Sequence, residues 1–287
     1  MPKALINGIS VHYQTRGTGP DIVLVHGITS CIAQWYVEVL PALARHYRVT
    51  AYDLRGHGLT EVTRTGYTSE ALAGDLLALM DHLGIESASI VGHSFGGAVG
   101  LHAALLQPDR TNGVVLLDTG LACLRHLRVI GEWPGWKTYG ADLAKFGITL
   151  ERFLEIDHQQ DVTAFIKQSL SIPLQTGFRK GQNAMTPRLQ RLLDETAIGH
   201  EFRDIAGLTE KRLSDITTPV LAIYGGTSPY ERMAEHLSRR LPRCQYELLP
   251  DSGHFYAVED PALVVERILP FLADPARRVP HAAAATP

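Results

Sequence analysis

Gly92-His93-Ser94-Phe95-Gly96 places a serine between glycines in the pattern G-x-S-x-G. Before it, SASIVG (87–92) is a short apolar run suited to a buried strand; after it, the chain reads as a glycine-rich helix to Gln107. A serine on a sharp strand-to-helix turn is held in a strained conformation with its hydroxyl clear of the backbone. The helix N-terminus beneath it favours developing negative charge. Such a hydroxyl suits nucleophilic attack on an acyl carbon, which needs a base for its proton and donors for the oxyanion.

The base is sought among thirteen histidines. His254, in LLPDSGHFYAVEDP, follows the last strand and comes directly after Gly253, which gives the chain order nucleophile, acid, histidine. His26 ends an earlier strand in His26-Gly27-Ile28 and is read as a buttress of that loop. His57 is read as stabilising its own DLRGHG loop, His102 as packing within its helix, and His158 lacks a second metal ligand. The backbone N–H groups of Ile28, just past Gly27, and of Phe95 are the candidate oxyanion donors, each typically worth about 10²–10³ in rate.

These residues need a frame that brings distant segments together. ALINGISVHYQT (4–15) reads as a hairpin about Asn7-Gly8, DIVLVHG (21–27) as a covered strand, and AQWYVEVLPALARH (33–46) as a helix. YRVTAYD (47–53) is another strand. SEALAGDLLALMDHLG (69–84) carries Leu72, Leu76, Leu79 and Leu83 along one stripe and closes at Gly84. GVVLLDTG (113–120), TPVLAIYGG (218–226) and CQYELLP (244–250) continue the strands, with a helix after Pro229 and a last one from Asp260-Pro261 to about 273. Such alternation predicts an α/β fold with a mostly parallel, doubly wound sheet. From 121 to 213 helical stripes replace it: Leu150, Phe153, Leu154, then Val162, Phe165, Ile166, Leu170, then a helix capped by Thr186 with Pro187 first. The expected organisation is a core of 1–120 and 214–274, a helical lid over 121–213 after the sixth strand, and a disordered tail over 275–287.

Composition narrows the partners. The 287 residues carry 27 Lys and Arg against 30 Asp and Glu, a net charge of −3, which gives no broad field for nucleic acid or an anionic membrane. Arg239, Arg240 and Arg243 form the best basic patch and read as a solvated helix end. The start lacks a signal-peptide pattern and no apolar run is long enough to span a bilayer. Three unpaired cysteines, Cys31, Cys123 and Cys244, fit free thiols, and a cytoplasmic location is expected. Neither metal nor cofactor is expected; the oligomeric state is not readable.

With its GHSFGG elbow, HG after an early strand, DLRGHG and SGHF…EDP, the chain resembles the α/β-hydrolase superfamily, specifically its lidded serine hydrolases, over about 4–120 and 214–273. The resemblance implies Ser94 as nucleophile, His254 as base, and Ile28 with Phe95 as oxyanion donors. It also implies a triad acid three residues past Gly225, where this chain has Ser228. Ser228-Pro229-Tyr230-Glu231 reads instead as a capping box. A serine carries no charge to stabilise an imidazolium. Asp118, ending GVVLLD on the neighbouring strand, is the preferred acid, a placement some superfamily members share. Glu231, Asp251 or a Ser–His dyad are the alternatives; Asp53 is a weaker candidate assigned to its own turn.

The expected reaction is hydrolysis of a small, largely apolar ester, thioester or lactone through a Ser94 acyl-enzyme. A carbon–carbon bond hydrolase is the nearest rival, and a non-catalytic ligand-binding protein of the same fold is the rival from another class. Serine at 94 argues against epoxide or haloalkane chemistry, which the resemblance associates with an aspartate nucleophile. The aromatics Trp133, Trp136, Tyr139, Phe146, Phe153, Phe165, Phe178 and Phe202 are expected mainly to pack the lid, with a minority lining the pocket.

Overall fold

The alternation of elements becomes one eight-stranded sheet in a computed structural model, which describes residues 2–128, 131, 136, 140–141, 143–145, 147–159, 161–171 and 185–275. Its strands are β1 (Lys3–Ile6), β2 (Ile9–Arg16), β3 (Asp21–Val25), β4 (Arg48–Tyr52), β5 (Ala88–His93), β6 (Thr111–Leu117), β7 (Val220–Gly225) and β8 (Cys244–Leu249). The order across the sheet is β1-β2-β4-β3-β5-β6-β7-β8. β1 pairs antiparallel with β2 through the Asn7-Gly8 turn, and β2 pairs antiparallel with β4; the remaining pairs are parallel.

From β3 the chain steps outward to β4 and then returns to place β5 on the other side of β3. At such a reversal the two following loops diverge and leave a crevice at the strands' C-terminal ends, the usual place for a ligand in an open α/β sheet. Here the two loops are His26-Gly27-Ile28 and Ser94-Phe95.

Apolar residues on both sheet faces require cover on both sides. The helices Ser69–His82, Phe95–Leu106 and Glu231–Arg240 cover one face, with Leu72, Leu76, Val99 and Leu237 in its core. The helix Pro261–Ala273 and the short helices Ala33–Tyr36 and Val39–Leu43 cover the other, with Trp35, Leu40, Ile268 and Phe271 buried there. The single helix expected over 33–46 is therefore two. Pro41 lacks an N–H and its ring clashes with the carbonyl four residues back, at Val37, which is where the break falls.

Between β6 and β7 the described regular structure is helical, chiefly Leu150–His158, Thr163–Ser171 and Pro187–Glu195. The last begins as expected: the Thr186 hydroxyl accepts from Leu189 N at 3.2 Å and Pro187 is the first helical residue. Trp136 and Phe165 pack against Leu143 and Ile148 in a small separate core. Trp133, Tyr139, Phe146, Phe178, the side chains of Phe153 and His158, and the tail from 276 lie outside the described residues. Among the described residues, no helix is long and apolar enough to cross a membrane.

Candidate active site

Sheet register brings the candidate residues together. His93 of β5 lies beside Leu117 of β6, and Leu117 lies beside Ile223 of β7. The ladder continues one step past the strands: Ser94 N donates to Leu117 O and Asp118 N donates to Ile223 O, each at 2.9 Å. Ser94, Asp118 and Gly225 thus stand side by side at three adjacent strand ends. The loop carrying His254 is tied to the same edge, since Thr227 N and Oγ1 both donate to Ser252 O, at 3.0 and 2.8 Å. A Cβ at Gly225 would fall 2.3 Å from that carbonyl, so the loop can cross β7 only where residue 225 has no side chain.

Ser94 has φ 53° and ψ −121°, a strained conformation for a residue with a side chain, and the helix Phe95–Leu106 starts immediately after it. Gly92 makes the turn feasible, because a Cβ there would lie 2.4 Å from the Gly96 carbonyl and Gly97 N. Ser94, Phe95 and Ile28 border one cavity of about 100 Å³, together with Phe202, Tyr230 and Met233. Phe202 meets Phe95 edge-on, ring centres 5.9 Å apart. Of the eight aromatics expected in the helical segment, Phe202 is the one that lines this cavity among the described residues.

His254 Nδ1 lies 2.8 Å from Asp118 Oδ1. Gly225 N donates to the other carboxylate oxygen at 2.7 Å, and Ser228 Oγ donates to Oδ1 at 2.5 Å. Every other partner of Asp118 is a donor, so an ionised carboxylate takes Nδ1–H from His254 and leaves that ring's Nε2 as the basic atom. Asp118 is fully buried, whereas the His254 side chain is 15% exposed. The His254 ring is flanked by Tyr230, His93 and Phe255, with ring centres 5.1, 5.3 and 4.9 Å away. His93 Nε2 donates to the His254 carbonyl at 3.1 Å, coupling the residue before Ser94 to the histidine loop. Burial first, and the neighbouring His254 next, push the His93 pKa down to about 4, which keeps this linker neutral.

The capping-box reading of Ser228 is corrected. The helix starts at Glu231 with Tyr230 at its cap position and no side-chain cap bond. Ser228 is buried; its hydroxyl accepts from Tyr230 N at 3.2 Å and gives its proton to Asp118. The hydroxyl proton goes to the Asp118 carboxylate while its oxygen still accepts one backbone N–H, and the helix starts too late, at Glu231, for Ser228 to be its cap. The serine at the position where the resemblance implies an acid therefore touches the carboxylate on the adjacent strand.

The loops after β3 and β4 are locked by a second network. His26 Nδ1–H donates to Gly27 O at 2.8 Å, and its Nε2 accepts from Leu54 N at 3.0 Å. His57 does the same in the other direction: Nδ1–H to Arg55 O at 2.8 Å, and Nε2 from Thr29 N at 3.2 Å. Each ring uses one nitrogen as acceptor and is therefore neutral. Burial, reinforced by His26, lowers the His57 pKa to about 3. Asp53 accepts from Ile32 N and Leu59 N, both at 2.8 Å, and from His12 Nδ1 at 2.6 Å. His26 and His57 thus have the structural roles expected, and Asp53 belongs to its turn. His102 goes beyond its own helix, pairing through Nδ1 with Ser69 Oγ at 3.0 Å. His12 was not singled out in the sequence; its strand position alone carries no signal of a partner 41 residues away.

Asp251 is exposed and Glu231 opens a helix. Cys31, Cys123 and Cys244 are free thiols, and burial raises the pKa of the last two to about 11 and about 12. Among the described residues no group of three His, Cys, Asp or Glu side chains could hold a metal ion.

The family model described as "alpha/beta hydrolase fold" matches residues 20–261, and the chain belongs to that family of hydrolases. It is 28% identical to a soluble epoxide hydrolase of Corynebacterium sp. (strain C12), over 94% of this chain and 96% of that one. Among solved structures, Est816, described as an N-acyl homoserine lactone degrading enzyme, superposes with a TM-score of 0.66 at 25% identity, covering 94% of this chain and all of that one. The epoxide hydrolase CorEH superposes with a TM-score of 0.67 at 26% identity, covering 95% and 98%.

Proposed function

We propose that the protein is a serine hydrolase that cleaves a small ester, thioester or lactone through an acyl-enzyme on Ser94. Asp118 is the acid, His254 the base, and Ile28 with Phe95 the oxyanion donors. The single observation that carries this reading is the Asp118–His254 hydrogen bond of 2.8 Å on the strand next to a serine held at φ 53°. His254 Nε2 takes the hydroxyl proton as Ser94 Oγ attacks the acyl carbon. The tetrahedral oxygen then accepts from the two backbone N–H groups. The protonated imidazole gives its proton to the leaving group, and water repeats the sequence to release the acid. Asp118 fixes the tautomer and stabilises the imidazolium.

Epoxide opening by a covalent route calls for a carboxylate nucleophile, and a hydroxyl backed by oxyanion donors favours acyl chemistry over the epoxide chemistry named for two of the relatives. Lactones fall within the same mechanism, which the likeness to a lactone-degrading structure favours. The helices between β6 and β7, within 121–213, would serve as a lid over a core of 1–120 and 214–274, in a cytoplasmic enzyme. The test is fluorophosphonate labelling with 4-nitrophenyl acetate turnover. The parent is labelled at Ser94 and active, and Ser94→Ala loses label and about 10⁴-fold or more in kcat. An unlabelled, inactive but folded parent would favour a ligand-binding protein instead.

A further inference from the structure

Two neighbouring cavities share a wall beside Ser94. The outer one, of about 100 Å³, is bordered by Ser94 itself, and the inner one, of about 10 Å³, is not. Among the described residues, Ser69, Ala98, Ile205 and Leu208 border the inner cavity and not the outer. Phe95, Gly120, Leu121, Ala122 and Phe202 border both, and so form the wall. Phe95 and Leu121 are buried core residues, whereas Phe202 arrives from a separate stretch, just after the short helix Ile198–Glu201. It closes the wall by meeting the Phe95 ring edge-on, ring centres 5.9 Å apart. Its backbone is pinned from the preceding residue: the Glu201 carboxylate accepts from Gly66 N and Tyr67 N, at 2.8 and 2.7 Å. Ala197 N adds a bond to Arg64 O at 2.8 Å. Two N–H groups on one charged acceptor make a strong tie, so the ring is a fixed partition.

Size decides what fits on each side. The outer cavity is smaller than the roughly 150 Å³ that holds benzene in an engineered protein core, and the inner one has room for about one water. The two polar side chains of the inner cavity are engaged elsewhere. Ser69 Oγ pairs with His102 Nδ1 at 3.0 Å, and Asp204 Oδ1 accepts from Ala206 N at 2.9 Å. What remains there is the apolar surface of Ala98, Ile205 and Leu208. The leaving group must face His254 to receive its proton, and Tyr230, beside that imidazole, borders the outer cavity and not the inner. The wall therefore stands on the acyl side. We propose that Phe202 sets the length of the acyl chain. With its ring in place the acyl group is confined to about two to four carbons; without it the two cavities join into a channel for a longer apolar chain. This rests on the serine-hydrolase reading above for the reacting end, and on the shared wall for the length limit.

The test is kcat/KM along 4-nitrophenyl acetate, butyrate, hexanoate and octanoate. In the parent it falls about tenfold or more from butyrate to hexanoate. Each newly buried methylene is worth about fourfold, so Phe202→Ala raises the hexanoate-to-acetate ratio by about tenfold or more. Phe202→Leu, which keeps an apolar side chain, gives a smaller rise in the same direction. Refilling the inner cavity in Phe202→Ala/Ala98→Leu abolishes the gain. A parent that prefers hexanoate, folded Phe202 variants with the parent's ratio, or a gain that survives Ala98→Leu would overturn the proposal. A parent inactive on every ester would instead sink the hydrolase reading. The length limit is then decided by titrating methyl hexanoate into Ser94→Ala. Binding that tightens about tenfold on adding Phe202→Ala supports it; equal binding, or none in either protein, overturns it.

Discussion

Two buried carboxylates in this fold have nearly the same surroundings and opposite prospects. Asp53 and Asp118 are both 1% exposed or less. Each holds one imidazole through Nδ1, at 2.6 Å from His12 and 2.8 Å from His254, and each accepts backbone N–H groups. The difference lies on the far side of the ring. His12 is sealed in, 1% exposed, and its Nε2 has no hydrogen-bond partner among the described residues. His254 keeps 15% of its side chain open at the strand edge where Ser94 stands. A carboxylate–histidine pair is thus a structural clamp in one place and a candidate catalytic pair in the other. What separates them is access and a neighbouring serine, not the pair itself.

The sharpest way to break that contrast is to neutralise each carboxylate in turn. Asp118→Asn turns the imidazole to the wrong tautomer for a base, and kcat on a 4-nitrophenyl ester should fall about 10⁴-fold with the protein still folded. Asp53→Asn should act mainly on stability, by roughly 3–5 kcal/mol, because it disrupts a buried pair and two backbone acceptor bonds. Folded Asp53→Asn should keep kcat within about tenfold. Circular dichroism melts run alongside the kinetics separate the two effects. Equal kcat losses in folded samples of both would erase the distinction.

A second, smaller effect concerns acid stability of the clamp region. The His57 pKa is lowered to about 3, below the ordinary value of 6.5, so the unfolded chain binds the proton more readily. The stability from neutral His57 is therefore complete above about pH 6.5 and is lost as pH falls toward about 3. Protonation also removes the acceptor for Thr29 N, next to Ile28. Between about pH 6.5 and about pH 4, one such group accounts for up to roughly 3 kcal/mol. His57→Gln cannot titrate, so urea unfolding should show a shallower acid limb than the parent. Parallel limbs would mean that His57 is not the group responsible.

How much of this was legible depends on the range of the interaction. The Asn7-Gly8 hairpin, the glycine-lined elbow at Ser94 and the Thr186-Pro187 helix start are local, and the structure repeats them. The Asp118–His254 contact was reachable because a strand end and a shortage at 228 pointed one strand upstream. The partner of Ser228 was not, since 110 residues and a sheet register separate it from Asp118, while the local capping pattern offered a closer answer. The break at Pro41 was visible in the letters, but the apolar periodicity on either side masked it.

The smallest predicted effect sharpens the comparison most, because it tests the one kind of partner that the Asp53 carboxylate lacks among the described residues: a hydroxyl donor, since Thr60 Oγ1 donates to the Asp53 backbone carbonyl instead. Ser228 Oγ donates to Oδ1 of Asp118, the same oxygen that meets His254 Nδ1. That bond spreads the carboxylate's charge and fixes its orientation. Ser228→Ala removes the donor, so the carboxylate rotates more freely and aims the imidazole less well, while the bare oxygen attracts the imidazolium more strongly. The first effect lowers kcat, and the second, by favouring the imidazolium, offsets part of that loss. A lost hydrogen bond to a charged group is worth about 1.5–3 kcal/mol, part of which appears as lost stability because Tyr230 N also loses its acceptor. The kcat loss should be about tenfold, far short of that in Asp118→Asn. A kcat matching the parent's would mean that Ser228 fills space beside Asp118 without tuning it.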